Sequence, residues 1–137
     1  MEAIDIATRS RTECVDITGR VQEVVTQKGV ASGVVITCSA HTTAGVTVNE
    51  NADPDVMADV LATLSRLVPR QGSYAHGEGN SDAHIKATLV GLSVTLPIEN
   101  GRLVLGTWQG LYFLEFDGPR RRRVMVQVLD SASETRR

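Results

Sequence analysis

The chain has 137 residues and a hydrophobic content of 42%, which suits one compact domain with its own core, so we predict a single domain over residues 1–137. Its formal net charge of -2 provides no overall positive field for a polyphosphate backbone, which argues against nucleic acid as a partner. The longest apolar runs are far shorter than a membrane span and the chain opens without a signal-peptide pattern, which argues against membrane insertion and export.

The first thirty residues combine short strands with one helix. Apolar residues alternate with polar ones around Ile4 and recur around Val15, which predicts two short strands. Thr18 is a suitable N-cap for a helix, and Lys28 followed by Gly29 is typical of a helix C-terminus. We therefore expect an amphipathic helix between these residues.

Two central strands and a long helix follow. The β-branched runs at 34–36 and 46–48 predict strands on either side of the sequence HTTAG. Asp53 followed by Pro54 combines a helix cap with a first-turn proline, and apolar residues then recur at helical spacing as far as Pro69. This pattern predicts the best-defined helix of the chain.

A stretch without periodicity, 70–81, contains three glycines and is longer than a simple connection requires. Loops of this kind often carry binding or catalytic residues. After it, Ser81 or Asp82 is predicted to cap a third helix, in which Ile85 and Leu89 share a face.

The remainder of the chain predicts strands, at 94–96, 103–105, 111–116 and 124–128. Asn100 followed by Gly101 predicts a hairpin turn, because both residues tolerate the positive φ that such turns require. Helices among strands that end in an antiparallel run predict an α+β fold. We expect one compact domain with a mixed, mostly antiparallel sheet and helices on one face.

The two cysteines, Cys14 and Cys38, lie far apart and form neither a CxxC pair nor a disulfide-dense pattern. We therefore predict two reduced thiols and a cytoplasmic location.

All three histidines lie in polar, glycine-rich or helix-initiating stretches. His41 follows a central strand, His76 lies in the glycine-containing loop, and His84 falls in the first turn of the third helix. Three imidazoles and a water make a zinc site of the catalytic type. The alternative is three surface or hydrogen-bonded histidines, because no spacing here is a local metal motif.

Carboxylates and amides recur near the histidines, namely Asn49, Glu50, Asn51, Asp53, Glu78, Asn80 and Asp82. Such groups serve as partners of metal ligands, general bases or magnesium ligands. Asp53 and Asp82 have a structural alternative as helix caps. The sequence GEGNSD before a helix also suits an anionic ligand, because backbone N–H groups point from a helix N-terminus.

Trp108 and Gln109 lie in the sequence GTWQG and suggest a surface for a planar heterocycle. An indole ring stacks on such a ligand and the amide offers both a donor and an acceptor, although a single tryptophan is more often part of a core. The arginine run 120–123 suggests phosphate binding, with a solvated strand edge as the alternative.

Four segments, HTTAGVTVNENADPDV, HGEGNSDAHIKATLVG, NGRLVLGTWQG and GPRRRRV, resemble in this order the YjbQ family, also described as secondary thiamine-phosphate synthase proteins. The resemblance covers residues 37–128. It implies a compact α+β subunit in a homotrimer with pockets at subunit boundaries. It also implies a divalent metal on His41, His76 and His84. The pocket neighbours would be Thr42, Asn51, Asn80, Asp82, Trp108 and Gln109.

The resemblance implies an enzyme that acts on a small phosphorylated metabolite and supports secondary thiamine-phosphate synthesis. In that reaction a pyrimidine carried on pyrophosphate is joined to a thiazole phosphate, and Glu50 or Glu78 would carry protons. Three histidines favour zinc, whereas departure of pyrophosphate usually uses magnesium among oxygen ligands. The alternatives are a trimer that binds a metabolite in the same pocket without transforming it, and a structural trimer whose metal joins subunits.

Overall fold

The computed structural model describes residues 1–131, so residues 132–137 of the predicted domain lie outside the described part. The described part contains eight strands and three helices: β1 Glu2–Ala7, β2 Glu13–Asp16, α1 Thr18–Lys28, β3 Ser32–Ser39, β4 Ala44–Glu50, α2 Pro54–Leu67, α3 Ser81–Val90, β5 Ser93–Glu99, β6 Arg102–Leu103, β7 Gln109–Glu115 and β8 Arg121–Asp130. The predicted α+β class is confirmed. Within residues 1–131 no helix is both long and apolar enough to cross a membrane.

The strands divide into two sheets. The larger sheet has five strands in the order β1-β8-β3-β5-β6, and the smaller has three in the order β2-β7-β4. Every pairing is antiparallel. The predicted 103–105 strand is only the two-residue β6. Asn100 and Gly101 have φ values of 54° and 76°, as the predicted hairpin turn between β5 and β6 requires.

The smaller sheet is the middle layer of the molecule, and β7 is buried on both faces. Leu111 and Phe113 point into the main core, which the larger sheet and α1 complete. Tyr112 and Leu114 point to the opposite face, where α2 and α3 pack. Side chains alternate along a strand, so a run of consecutive apolar residues in β7 supplies both cores.

The helix starts show where local rules hold and where tertiary contacts replace them. Asp53 caps α2 as predicted, because its side chain accepts from the backbone N–H of Asp55. Thr18 is already inside α1, and its hydroxyl oxygen accepts from the N–H of Leu111. The predicted cap of α3 at Ser81 or Asp82 is wrong. The cap position is one residue earlier, and both side chains are buried in the first turn.

A buried ion pair joins the two sheets at one end of the main core. Arg122 on β8 donates through Nε and Nη2 to both carboxylate oxygens of Glu115 on β7, with Nε 2.7 Å from Oε1. The Thr8 hydroxyl and the Asp117 backbone N–H also donate to this carboxylate, at 2.7 and 3.0 Å. Burial raises the pKa of Glu115, but these donors outweigh it and hold the pKa below its ordinary value.

We expect Glu115→Gln to lower the free energy of unfolding by about 3–5 kcal/mol at pH 7, because it leaves the Arg122 charge buried without a counter-charge. The pKa of Glu115 is lowered by folding, so its contribution is complete above the ordinary glutamate pKa of about 4.3 and is lost as pH falls through the folded value. Urea unfolding of wild type and variant should therefore converge at acid pH.

Glu99→Gln is the matched control, because Glu99 is an exposed carboxylate at the end of β5. We expect this variant to lie within about 0.5 kcal/mol of wild type. Equal effects of the two substitutions would contradict a dominant role for the buried pair.

Candidate functional site

All three histidines line one cleft of about 460 Å³, which we call the histidine cleft. Its walls also include Thr42, Glu78, Asn80 and Arg122. The cleft lies at the end of the two-sheet core that holds the buried Arg122–Glu115 pair. The fold therefore places the three histidines on the walls of one cleft.

His41 lies on the short connection between β3 and β4. Its backbone N–H donates to the Ser39 hydroxyl at 3.2 Å. Its ring Nε2 accepts from the backbone N–H of Arg123, at 2.8 Å, which ties the ring to β8. A ring nitrogen accepts only when it carries no proton, so this contact selects the neutral ring with its proton on Nδ1.

The surroundings of His41 favour the same neutral form. Burial lowers the pKa of His41 below its ordinary value, and the positive charge of Arg122 lowers the pKa further. Arg120 and Arg123 act in the same direction, while Glu115 opposes them. A neutral imidazole is the form that binds a metal or accepts a proton.

His76 and His84 form the opposite side of the cleft. Their rings meet edge to face, with centroids 5.2 Å apart and an interplanar angle of 89°. The Glu78 carboxylate lies 3.8 Å from His76 Nε2. Asn80 holds the end of this loop, because its Nδ2 donates to an Asp117 carboxylate oxygen at 2.9 Å.

The histidine set suits a zinc-type ion in chemistry and only partly in position. Within residues 1–131 no three His, Cys, Asp or Glu side chains are already placed around a common ion point. Two imidazoles on one tetrahedral zinc, with Zn–N near 2.1 Å, have ring centroids about 5 Å apart, so His76 and His84 have a compatible separation. His41 is the exception, because the Arg123 amide occupies its Nε2.

Asp82 does not reach the cleft, although the sequence suggested it as a ligand contact. It is fully buried and accepts two hydrogen bonds from Arg11, at 3.0 and 3.1 Å, and one from Lys86, at 3.0 Å. Burial raises its pKa, but these cationic donors outweigh burial and bring the pKa to about 2. This carboxylate therefore fixes the start of α3, and with it the position of His84.

Four other predicted site residues lie elsewhere, namely Glu50, Asn51, Trp108 and Gln109. They meet at the far ends of β4 and β7, where Glu50 is paired with Gln109. β4 has seven residues, so about 20 Å separates its two ends at a rise of about 3.3 Å per residue. A single chain therefore does not bring these four residues to the histidine cleft, and we call them the distal group.

Local contacts account for much of the distal group. The Glu50 carboxylate accepts from the backbone N–H groups of Ala52 and Asp53, at 3.1 and 3.3 Å, so it shapes the turn before α2. The backbone N–H of Asn51 donates to the Trp108 carbonyl at 2.7 Å. The Trp108 side chain stays 64% exposed and is not part of a core.

Sequence reasoning missed the particular role of Arg122. The run of four arginines suggests a basic edge, yet Arg121 and Arg123 are exposed while Arg122 is buried. Alternation along β8 produces this difference, and Val124 and Val126 point to the same core side as Arg122. The apolar residues that follow at spacings of two were the signal that could have identified the inward arginine.

Comparisons with known proteins point to one family. The family model described as UPF0047 protein YjbQ-like matches residues 2–131. The chain is 49% identical to a UPF0047 protein of Methanocaldococcus jannaschii over 124 residues, 90% of each chain. It is 45% identical to the UPF0047 protein YugU of Bacillus subtilis over 130 residues, 94% of this chain and 98% of the relative.

Two solved structures share the fold. A crystal structure of an uncharacterised YjbQ/UPF0047 protein of Clostridium acetobutylicum matches with a TM-score of 0.93 and 50% identity, covering 94% of this chain and 100% of the other. A protein of unknown function from Sulfolobus solfataricus matches with a TM-score of 0.91 and 33% identity, covering 95% and 96%. The two-sheet architecture is thus common to these relatives.

We expect His41, in protein stripped of divalent metal, to be the neutral Nδ1–H form at pH 7 and to titrate below the ordinary histidine pKa of about 6.5. Long-range ¹H–¹⁵N spectra report the protonated ring nitrogen directly. His41→Gln assigns the signals by removing one set of three. An Nε2–H form at pH 7, or a midpoint above 6.5, would contradict the Arg123 contact.

Proposed function

The chain belongs to the UPF0047 YjbQ-like family, and we propose that it is a metal-dependent enzyme that acts on a small phosphorylated heterocycle in the histidine cleft. The observation that carries the proposal is the presence of all three histidines in one cleft, together with a carboxylate and a guanidinium. Thiamine-phosphate synthesis, from a pyrimidine pyrophosphate and a thiazole phosphate, is proposed as a secondary activity. The proposed setting is the cytoplasm.

His41, His76 and His84 are the proposed metal ligands, with zinc as the expected ion. Zinc would act as a Lewis acid and neutralise charge on a departing phosphate or pyrophosphate. His41 becomes available when its Nε2 gives up the hydrogen bond from the Arg123 N–H. Magnesium is the alternative ion, and the cleft offers it the carboxylates of Glu78 and Asp117.

Glu78 is the proposed proton carrier. Its carboxylate is exposed on the wall of the cleft, 3.8 Å from His76 Nε2. Glu50, the other glutamate suggested by the sequence, belongs to the distal group and is bonded to backbone N–H groups there. Thr42 and Asn80 lie on the cleft wall and are proposed to hydrogen-bond the ligand.

A homotrimer is the proposed assembly. Ile85 and Leu89 of α3 leave apolar surface exposed beside His84, and Leu89 is 62% exposed. The distal group presents Trp108 as a second exposed apolar surface. Contact between these surfaces on different subunits would bring Trp108 and Gln109 toward a neighbouring histidine cleft.

A non-catalytic metabolite-binding trimer is the second candidate. The observation that favours it is that the described residues contain no set of three ligands already arranged around one ion. The same cleft would then bind a phosphorylated metabolite and release it unchanged. This candidate predicts binding without product, whereas the enzyme predicts turnover that depends on metal.

We expect protein purified without a histidine tag to contain about one divalent metal per subunit by elemental analysis. The metal content of His84→Ala should be at least tenfold lower, because His84 lines the cleft. Its circular dichroism should stay unchanged, because Asp82 still anchors α3. Cys38→Ser, which changes a potential ligand outside the cleft, is the control and should keep the metal. Full metal content in His84→Ala would contradict the assignment.

The two glutamates form a matched pair for turnover. Glu78→Gln should lower kcat for thiamine-phosphate formation by about 10²–10⁴ with little change in substrate affinity, as loss of a general acid or base does. Glu50→Gln should stay within about twofold of wild type. If wild type binds both substrates but forms no product, the enzyme proposal is contradicted and the metabolite-binding candidate is supported.

Sedimentation equilibrium tests the assembly. We expect a mass about three times the 14.7 kDa of one chain. Trp108→Ser should shift the equilibrium toward the monomer, because it removes the largest exposed apolar side chain of the distal group. Arg66→Ser, an exposed change on α2, is the control. A monomer in wild type would contradict the proposal.

A further inference from the structure

One of the three guanidinium nitrogens of Arg122 is without a partner. The residue is only 5% exposed, and its Nε and Nη2 donate to Glu115 and to the Thr43 hydroxyl. Nη1 has no acceptor among residues 1–131, although it carries two N–H groups. A nearly buried guanidinium with an unused donor pair needs an explanation, because buried polar groups are normally satisfied.

The residue that carries the unused nitrogen lines the histidine cleft. Arg122 lines this cleft and a neighbouring one of about 720 Å³, and His41 lines both as well. In the described part of the chain the fully enclosed side-chain atoms without a partner are Arg11 Nε and Asn80 Oδ1. Arg122 Nη1 is not among them, so it is the part of the guanidinium that remains accessible from the clefts.

Glu115 gives this donor pair a fixed direction. Both carboxylate oxygens hold the guanidinium plane, and the Thr43 hydroxyl accepts a further hydrogen bond from Nη2 at 2.8 Å. A planar fork fixed in this way loses little conformational freedom when an oxyanion binds to its free nitrogen. The surrounding low dielectric also strengthens a charge-assisted hydrogen bond.

We propose that Arg122 Nη1 is the phosphoryl anchor of the histidine cleft, donating to a non-bridging oxygen of the ligand. This inference rests on the proposed function for its ligand class and deepens it by orienting the ligand. Two of the exposed arginines of the run already have a carboxylate partner. Arg120 is paired with Asp117, and Arg123 with Asp5.

The rest of the ligand then extends past the histidine pair. His76 and His84 line the histidine cleft and also a third cleft of about 370 Å³, whose walls include Tyr74 and Ile85. An aromatic ring and an aliphatic side chain suit the apolar or planar body of a ligand. The expected ligand therefore carries a phosphoryl group at the Arg122 end and a ring at the Tyr74 end, with the two imidazoles between them.

The test uses inorganic phosphate and pyrophosphate on full-length protein treated with a chelator, so that neither metal nor turnover enters the result. Binding is followed by ¹⁵N-detected guanidinium signals and by calorimetry. We expect the Arg122 Nη1 signal to shift on titration while Arg121 signals do not. Arg122→Lys should weaken binding at least tenfold, because lysine can pair with Glu115 but lacks a second nitrogen aimed into the cleft.

Arg121→Lys is the matched control, because it makes the same change on the same strand at a residue that does not line the histidine cleft. Its effect should stay below twofold. Equal weakening in the two variants, or no Nη1 shift at saturating phosphate, would overturn the anchor. If Arg122→Lys fails to fold, the Nη1 shift in wild type decides.

Failure of the Arg122 anchor and failure of the enzyme proposal give different experimental outcomes. Turnover that is insensitive to Arg122→Lys, with no phosphate effect on Nη1, overturns the anchor and leaves the enzyme proposal standing. Binding at Nη1 in a protein that turns over neither substrate supports the anchor and refutes the enzyme proposal.

Discussion

The pair between Glu115 and Arg122 is the contact on which the arrangement of the site depends. It joins the two sheets across the end of the main core, and a carboxylate buried there needs hydrogen-bond donors for both of its oxygens. The Thr8 hydroxyl and the Asp117 backbone N–H donate to the Glu115 carboxylate, and the Thr43 hydroxyl accepts from Arg122. Thr43 and Asp117 also line the histidine cleft, so satisfying one carboxylate also orders the surface around His41.

A second buried carboxylate does the same for the other wall. Asp82 holds Arg11 from the β1–β2 connection and Lys86 one turn along α3, which fixes the first turn of that helix. His84 lies two residues after Asp82 in this first part of the helix. His76 and Glu78 lie on the loop that precedes it, with exposed side chains. The cleft therefore has two walls anchored by buried carboxylates, while the His76 and Glu78 side chains on its remaining side are exposed to solvent.

Local signals were sufficient for much of the fold. Asp53 with Pro54, and Asn100 with Gly101, act through contacts within a few residues, so their sequence patterns predicted a helix start and a turn that the structure contains. The division into two sheets and the burial of Asp82 depend on strand pairing and on Arg11, 71 residues away. No spacing rule reports such partners. Glu50 is a different case, because its partners, the backbone N–H groups of Ala52 and Asp53, are only two and three residues away. The sequence does not report the turn that brings these groups to the Glu50 carboxylate.

The motif HTTAGVTVNEN contributes to two separate structural units, one at each end of β4. His41 and Thr42 lie before β4, in the histidine cleft, and Asn51 lies after it, about 20 Å away at strand rise. Asn51 packs so closely on Gly110 that a Cβ there would come within 2.7 Å of its side chain, and Tyr112 donates to its Oδ1 at 2.8 Å. Its contacts within the chain therefore make it a structural residue of the distal group. Within one chain, the length of β4 therefore keeps Trp108 and Gln109 away from the histidine cleft.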